Sequence, residues 1–132
     1  DQDAIGGSLW AWKSPPQPNT VAPGWSVMQA STPFNVVTFP SRLKFTSRVY
    51  PQYTAGSLQS LSYDPDSYTF DLQGSSAAVS PGDTAHATLL FIPAAVTAQI
   101  QAEGAQVQTI EHGDGTRSVY VYPAGGAYHV HT

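Results

Sequence analysis

Two tryptophans two residues apart, Trp10 and Trp12, are the side chains whose type and spacing most suggest chemistry. In an extended segment they point the same way. At the end of a strand, the flat face of such a ring matches the apolar face of a pyranose, so both are candidate substrate-binding residues. The competing reading makes both core residues, because aromatic side chains dominate core burial. Carboxylates come next. Acid/base cleavage of a glycosidic bond takes a pair roughly 5 to 9.5 Å apart, and the only glutamates are Glu103 and Glu111. Glu103 precedes a glycine in an expected hairpin, and Glu111 closes an expected strand beside His112. Neither is framed by groups that would position a substrate. Asp64, Asp66, Asp83 and Asp114 sit in turn sequences. No residue of the chain is assigned a catalytic role.

The histidines are His86, His112, His129 and His131. His129-Val130-His131 puts two imidazoles on one face of a strand, a spacing that suits zinc. A third ligand would have to come from elsewhere, such as His86 or His112, and nothing in the sequence requires it. A solvated pair is the plainer reading, and no metal site is assigned. Gly113-Asp114-Gly115 reads as a hairpin turn rather than a phosphate loop, and no serine sits in a Gly-x-Ser-x-Gly elbow. Tyr120 and Tyr122, with Tyr128 nearby, form an aromatic stripe. Tyrosines at this period are half-buried sheet residues or, on an open face, carbohydrate contacts.

The elements that must position these groups are strands. Residues 4–13 read as a buried strand, and 14–24, with Pro15, Pro16, Pro18 and Pro23, as a loop or linker. Residues 25–40 are mixed, with Trp25, Val27, Phe34, Val36, Val37 and Phe39 anchoring the linker. From Leu43 the period is two: Leu43 and Phe45, then Val49 and Tyr50, give a strand with an irregularity near Arg48. Residues 57–63 and 68–73 predict a hairpin around a type I turn at Asp64-Pro65-Asp66-Ser67. After a turn at Ser80-Pro81-Gly82-Asp83, Ala85, Ala87, Leu89 and Phe91 share one strand face and Thr84, His86 and Thr88 the other. Residues 94–102 fit either a short helix or a strand. Strands are expected at 106–110, 118–122 and 128–131. This spacing predicts an all-β domain, an antiparallel immunoglobulin-like β-sandwich over residues 41–132.

Composition narrows the class. The chain has 132 residues, 41% of them hydrophobic, which is a globular composition. Charged residues make up 11%, against about a quarter in an ordinary soluble domain. Ser, Thr, Gln, Gly and Pro take their place, a profile common in secreted proteins, and a secreted or extracellular location is expected. The formal net charge is −4 and the five Lys and Arg residues form no basic run, which argues against nucleic acid as a partner. There is no cysteine, hence neither a disulfide nor a thiolate metal site. No apolar run reaches the roughly 18 residues of a transmembrane helix. The opening Gly6-Gly7-Ser8-Leu9-Trp10-Ala11-Trp12-Lys13 reads as a strand made to lie in a sheet whose other members are elsewhere. The expectation is therefore a fragment: the tail of a catalytic domain and linker over residues 1–40, then an accessory module over 41–132.

Several stretches together resemble the end of a glycoside hydrolase family 5 enzyme, most closely the endoglycoceramidase-like members. Leu9-Trp10-Ala11-Trp12-Lys13 is similar to the family's eighth barrel strand, which ends the (β/α)₈ domain. Arg48-Val49-Tyr50-Pro51-Gln52-Tyr53-Thr54-Ala55-Gly56 resembles the start of its C-terminal β-sandwich. Leu61-Ser62-Tyr63-Asp64-Pro65 and Tyr68-Thr69-Phe70-Asp71-Leu72 fit that domain's first hairpin, and Leu90-Phe91-Ile92-Pro93 a later strand. The resemblance implies a retaining β-glycosidase acting on glycolipids or related glycosides, with no metal or organic cofactor. It implies that Trp10 lines the −1 subsite and that both catalytic glutamates lie upstream of Asp1 on a barrel that is this chain's partner. Prolines 15, 16 and 18 depart from the helix that normally follows strand eight. The alternative expectation is a stand-alone β-sandwich that binds carbohydrate or a membrane surface.

Overall fold

A computed structural model describes residues 47–132 and, before them, the backbone of three strands, β1 (Ala11–Ser14), β2 (Ser26–Thr32) and β3 (Asn35–Thr38). The chain divides into two compact units, one holding Ile5–Ser47 and the other Arg48–Thr132. In the first, β1 runs parallel to β2 and β2 antiparallel to β3. Residues 15–25, which follow β1 in sequence, lie outside the described residues. The mixed segment 25–40 contributes two strands. The expected last barrel strand falls on β1, while its residues 4–10 lie outside the described residues. The expected strand through Leu43 and Phe45 does too.

The second unit is the antiparallel immunoglobulin-like β-sandwich expected from strand spacing, and no helix occurs among the described residues. Its strands are β4 (Tyr50–Tyr53), β5 (Ser57–Asp64), β6 (Thr69–Ser76), β7 (Thr88–Ile92), β8 (Gln101–Glu103), β9 (Ala105–Glu111), β10 (Arg117–Pro123) and β11 (Gly126–His131). One four-stranded sheet has the order β4-β7-β10-β9 and the other β5-β6-β11-β8. Alternation sends Phe70, Leu72, Tyr128 and Val130 of the second sheet against Leu90, Ile92, Val119 and Val121 of the first, with Val49 and Val96 closing the core. Each such side chain removed from water contributes on the order of 1.5–3 kcal/mol.

The β5–β6 hairpin forms as expected, paired from Ser57↔Ser75 to Asp64↔Thr69. Its turn is closed by Asp64, whose Oδ1 accepts from the Asp66 amide and whose Oδ2 accepts from Ser67 Oγ, both at 2.8 Å. Tyr68, expected to open the return strand, instead takes a left-handed conformation (φ 58°), and pairing starts at Thr69. Its ring still packs on the core, which holds the backbone in this unfavourable region. Residues 84–86 are turn rather than strand, because the Asp83 amide bonds to Ser80 O and the His86 amide to Asp83 O. In the 94–102 segment, a turn closed by Val96 N→Pro93 O precedes a strand that begins only at Gln101.

Gly104 does not make a hairpin. It carries the chain from β8 in one sheet to β9 in the other, at φ 70°. A Cβ there would lie 2.7 Å from the Ala127 carbonyl oxygen, so only glycine fits. The Ala124 amide of the β10–β11 crossing bonds to Gly104 O at 2.9 Å and ties the two crossings together.

The Tyr63 hydroxyl is buried with no hydrogen-bond partner among the described residues, and burial pushes its phenol above the usual range. A polar group in that state costs stability. Tyr63→Phe is therefore expected to leave stability unchanged or increase it by up to about 1 kcal/mol. A urea titration checks this, and a loss above that size would mean the hydroxyl has a partner.

Candidate functional site

Three places in the chain offer side chains for function: the tryptophan strand and the two solvent-facing surfaces of the sandwich. Trp12 lies within β1, and Trp10 lies outside the described residues.

The outer surface of the β4-β7-β10-β9 sheet is aromatic. Register puts Tyr50, Phe91, Ser118 and Ile110 in one transverse row and Tyr53, Leu89, Tyr120 and Gln108 in the next. Tyr122 and Gln106 follow in a third. The Tyr50 and Phe91 rings are 5.4 Å apart, and those of Tyr120 and Tyr122 stack at 6.4 Å. Tyr50 and Tyr53 are 41% and 42% exposed, whereas Tyr122 is covered beside the segment Ala78–Pro81. Tyr53 donates its hydroxyl to Thr84 O at 3.0 Å, and Tyr122 donates to Gln108 Oε1 at 2.9 Å. Burial, then the neighbouring Tyr120 and Tyr122, push the Tyr53 phenol above its ordinary value. The stripe expected from Tyr120 and Tyr122 is therefore real but excludes Tyr128. That residue sits on β11 in the other sheet and points into the core. Sequence spacing missed Tyr50, Tyr53 and Phe91 as members, because they reach this face from strands far apart in the chain.

The outer surface of the other sheet is polar. One row holds Ser62, Asp71, His131 and Gln101, and the next Ser60, Gln73, His129 and Glu103. His129 Nε2 lies 2.5 Å from Asp71 Oδ2, and the two imidazole rings are 5.0 Å apart. His86 and His112, the sequence candidates for a further ligand, stand elsewhere. His86 Nδ1 is bonded to the Asp83 carboxylate at 2.9 Å, and His112 Nε2 to Ser118 Oγ at 2.9 Å. Asp114 is a turn residue as expected: Thr116 donates its hydroxyl and amide to Oδ1, and those bonds hold the carboxyl below its usual value.

The two glutamates form no catalytic pair. Glu103 ends β8 just before the Gly104 crossing, and Glu111 ends β9 in the other sheet, about 20 Å along the strand from that crossing. A retaining glycosidase needs its carboxyls about 5–5.5 Å apart.

Residues 48–132 match the glycoside hydrolase family 5 C-terminal domain. The chain belongs to that family. The match starts at Arg48, where the second compact unit starts, and takes in the whole sandwich. Of solved structures, the family 5 chain is similar to a crystal structure of Cryptococcus neoformans sterylglucosidase 1 with tris, at 21% identity and a TM-score of 0.47. That similarity covers 64% of this chain and 13% of the sterylglucosidase, so the chain spans a small part of that protein's length. No curated protein matches the chain significantly. This is a glycoside hydrolase-associated β-sandwich, and among its described residues no helix is long and apolar enough to cross a membrane.

Proposed function

We propose that this chain is the C-terminal part of a secreted, endoglycoceramidase-like, retaining β-glycosidase acting on glycolipids or related glycosides. The observation that carries the reading is the family match over residues 48–132. In this reading an upstream (β/α)₈ barrel supplies both catalytic glutamates. The strand around Leu9–Lys13 completes the barrel, with Trp10 lining the −1 subsite and Trp12 beside it. The sandwich buttresses the barrel and takes no part in bond cleavage, in keeping with the separation of Glu103 from Glu111. The test is hydrolysis of a fluorogenic β-glucoside and of a glycolipid. The chain alone is expected to be silent, and the enzyme carrying the barrel active. Trp10→Ala in that enzyme is expected to lower kcat/KM on the order of 100-fold, the scale of a misplaced substrate. Turnover by the isolated chain, or an unchanged kcat/KM in the variant, would sink the reading.

A second reading has a specific observation behind it. The open aromatic rows around Tyr50, Tyr53, Phe91 and Tyr120 suit stacking on sugar rings, or seating in a lipid headgroup layer. A stand-alone binding module of that kind would retain affinity for a β-glucan in gel retardation, or sediment with vesicles, without any barrel. It would lose either property in Tyr50→Ala.

A further inference from the structure

We propose that the polar face of the β5-β6-β11-β8 sheet binds a divalent transition-metal ion of the zinc class between His129, His131 and Glu103, with Asp71 orienting His129. The proposal stands apart from the glycosidase reading, which calls for no metal.

The donor set comes first. One ligand atom from each of Glu103, His129 and His131 lies within 4.8 Å of the other two, a spread that a single ion can bridge. Two imidazoles and a carboxylate suit zinc, nickel or copper, whereas calcium and magnesium take oxygen. Three protein ligands also leave a position free for water or another ligand, as in open zinc sites.

The scaffold is a paired ladder rather than a loop. Glu103 is the direct cross-strand partner of His129, and His131 follows two residues on along the same face. Both histidines are half-buried. Neither described arginine stands in these rows: Arg117 lies in the other sheet and Arg48 precedes β4. No cation in the rows opposes a bound one.

Asp71 supplies what an isolated pair of surface histidines would lack. Its Oδ2 holds His129 Nε2 at 2.5 Å from the opposite side, on β6. A carboxylate accepting from one ring nitrogen fixes the tautomer and frees the other, here Nδ1, for the metal. Two of the three ligands, Glu103 and His129, also line an open pocket of about 320 Å³ with Gln73. An ion here would clip β8, a three-residue strand whose single ladder partner among the described residues is β11, onto the rest of its sheet.

The experiment is a calorimetric titration of the tag-free 132-residue chain with ZnCl₂ in a non-chelating buffer, with Co²⁺ as a visible-absorption probe of the ligand set. One ion per chain is expected, with a rise in Tm as zinc is added. His131→Ala and Glu103→Gln should each weaken binding tenfold or more, and Asp71→Asn about 10- to 100-fold. His86→Ala and His112→Ala should change nothing. Glu103 is solvent-exposed, so Glu103→Gln remains a valid test should a histidine variant fail to fold. The proposal is overturned if zinc gives no saturable binding, or if binding survives His131→Ala and Glu103→Gln. It is equally overturned if binding disappears in His86→Ala.

Discussion

Gly74→Ala is expected to destabilise the sandwich by about 2–5 kcal/mol, with urea denaturation as the measurement. A Cβ at Gly74 would stand 2.6 Å from Tyr128 Cζ and 2.7 Å from its hydroxyl oxygen. A flexible surface side chain would swing aside, but Tyr128 is only 3% exposed and its hydroxyl is held on both sides. The Ala55 amide donates to Thr88 Oγ1 at 2.8 Å, and the Tyr128 hydroxyl donates to Ala55 O at 3.0 Å. Since Tyr128 has spent its one proton, Thr88 must donate across the 2.9 Å contact between the two hydroxyls. The three bonds close a ring in which each buried group is satisfied. It joins β7 of one sheet, β11 of the other and the β4–β5 crossing.

Tyr128→Phe, which opens that ring while keeping the ring's bulk, should cost about 1–3 kcal/mol. The two changes share one contact, so they should not add. In a Tyr128→Leu background Gly74→Ala should be much milder. A Gly74→Ala cost below about 0.5 kcal/mol, or strict additivity, would contradict this account.

Arg117 is the second position where one change should be felt strongly. It is 7% exposed, and its guanidinium donates to Val96 O at 2.5 Å and to Ala98 O at 2.9 Å. Those carbonyls belong to the segment between β7 and β8, which has little regular structure of its own. Arg117→Met removes the donor and leaves the buried Val96 carbonyl without that partner, an expected loss of about 1–3 kcal/mol. Both bonds leave one nitrogen, Nη2, so lysine, whose ammonium can also donate more than once, should restore part of the loss. The same segment delivers Gln101 and Glu103 to the polar face. Hydrogen exchange across residues 94–103 should therefore quicken in Arg117→Met well before global unfolding. Wild-type exchange there, together with wild-type stability, would mean the guanidinium is dispensable.

How far the sequence reached differs between elements. The β5–β6 hairpin was legible because its signals are local: Asp64 and Pro65 specify the turn, and the period of Phe70 and Leu72 sets the inward face. The β9–β10 hairpin around Asp114 was legible on the same grounds. Gly104 and Tyr68 were misread because their neighbours in sequence are not what decides them. A glycine between two strand-like runs looks alike whether the chain turns back or crosses to the other sheet. Here the close approach of Ala127 O makes it a crossing. Tyr68 keeps its alternating pattern with Phe70 while its backbone belongs to the turn.

Composition, turn chemistry and period two, all carried by residues within a few positions of each other, were enough to determine an all-β sandwich, while the family resemblance rested on particular stretches such as Arg48–Gly56. Whether two strands share a sheet depends on contacts between residues tens of positions apart, which no local pattern encodes. Only the tertiary structure decided that Tyr128 closes a buried ring instead of extending the tyrosine stripe. It also decided that Glu103, rather than His86 or His112, stands opposite His129, and that one surface of the sandwich is aromatic while the other carries imidazoles and carboxylates. Strand pairing, by aligning Tyr50 with Phe91 and His129 with Glu103, is the physical step that turned scattered residues into two surfaces.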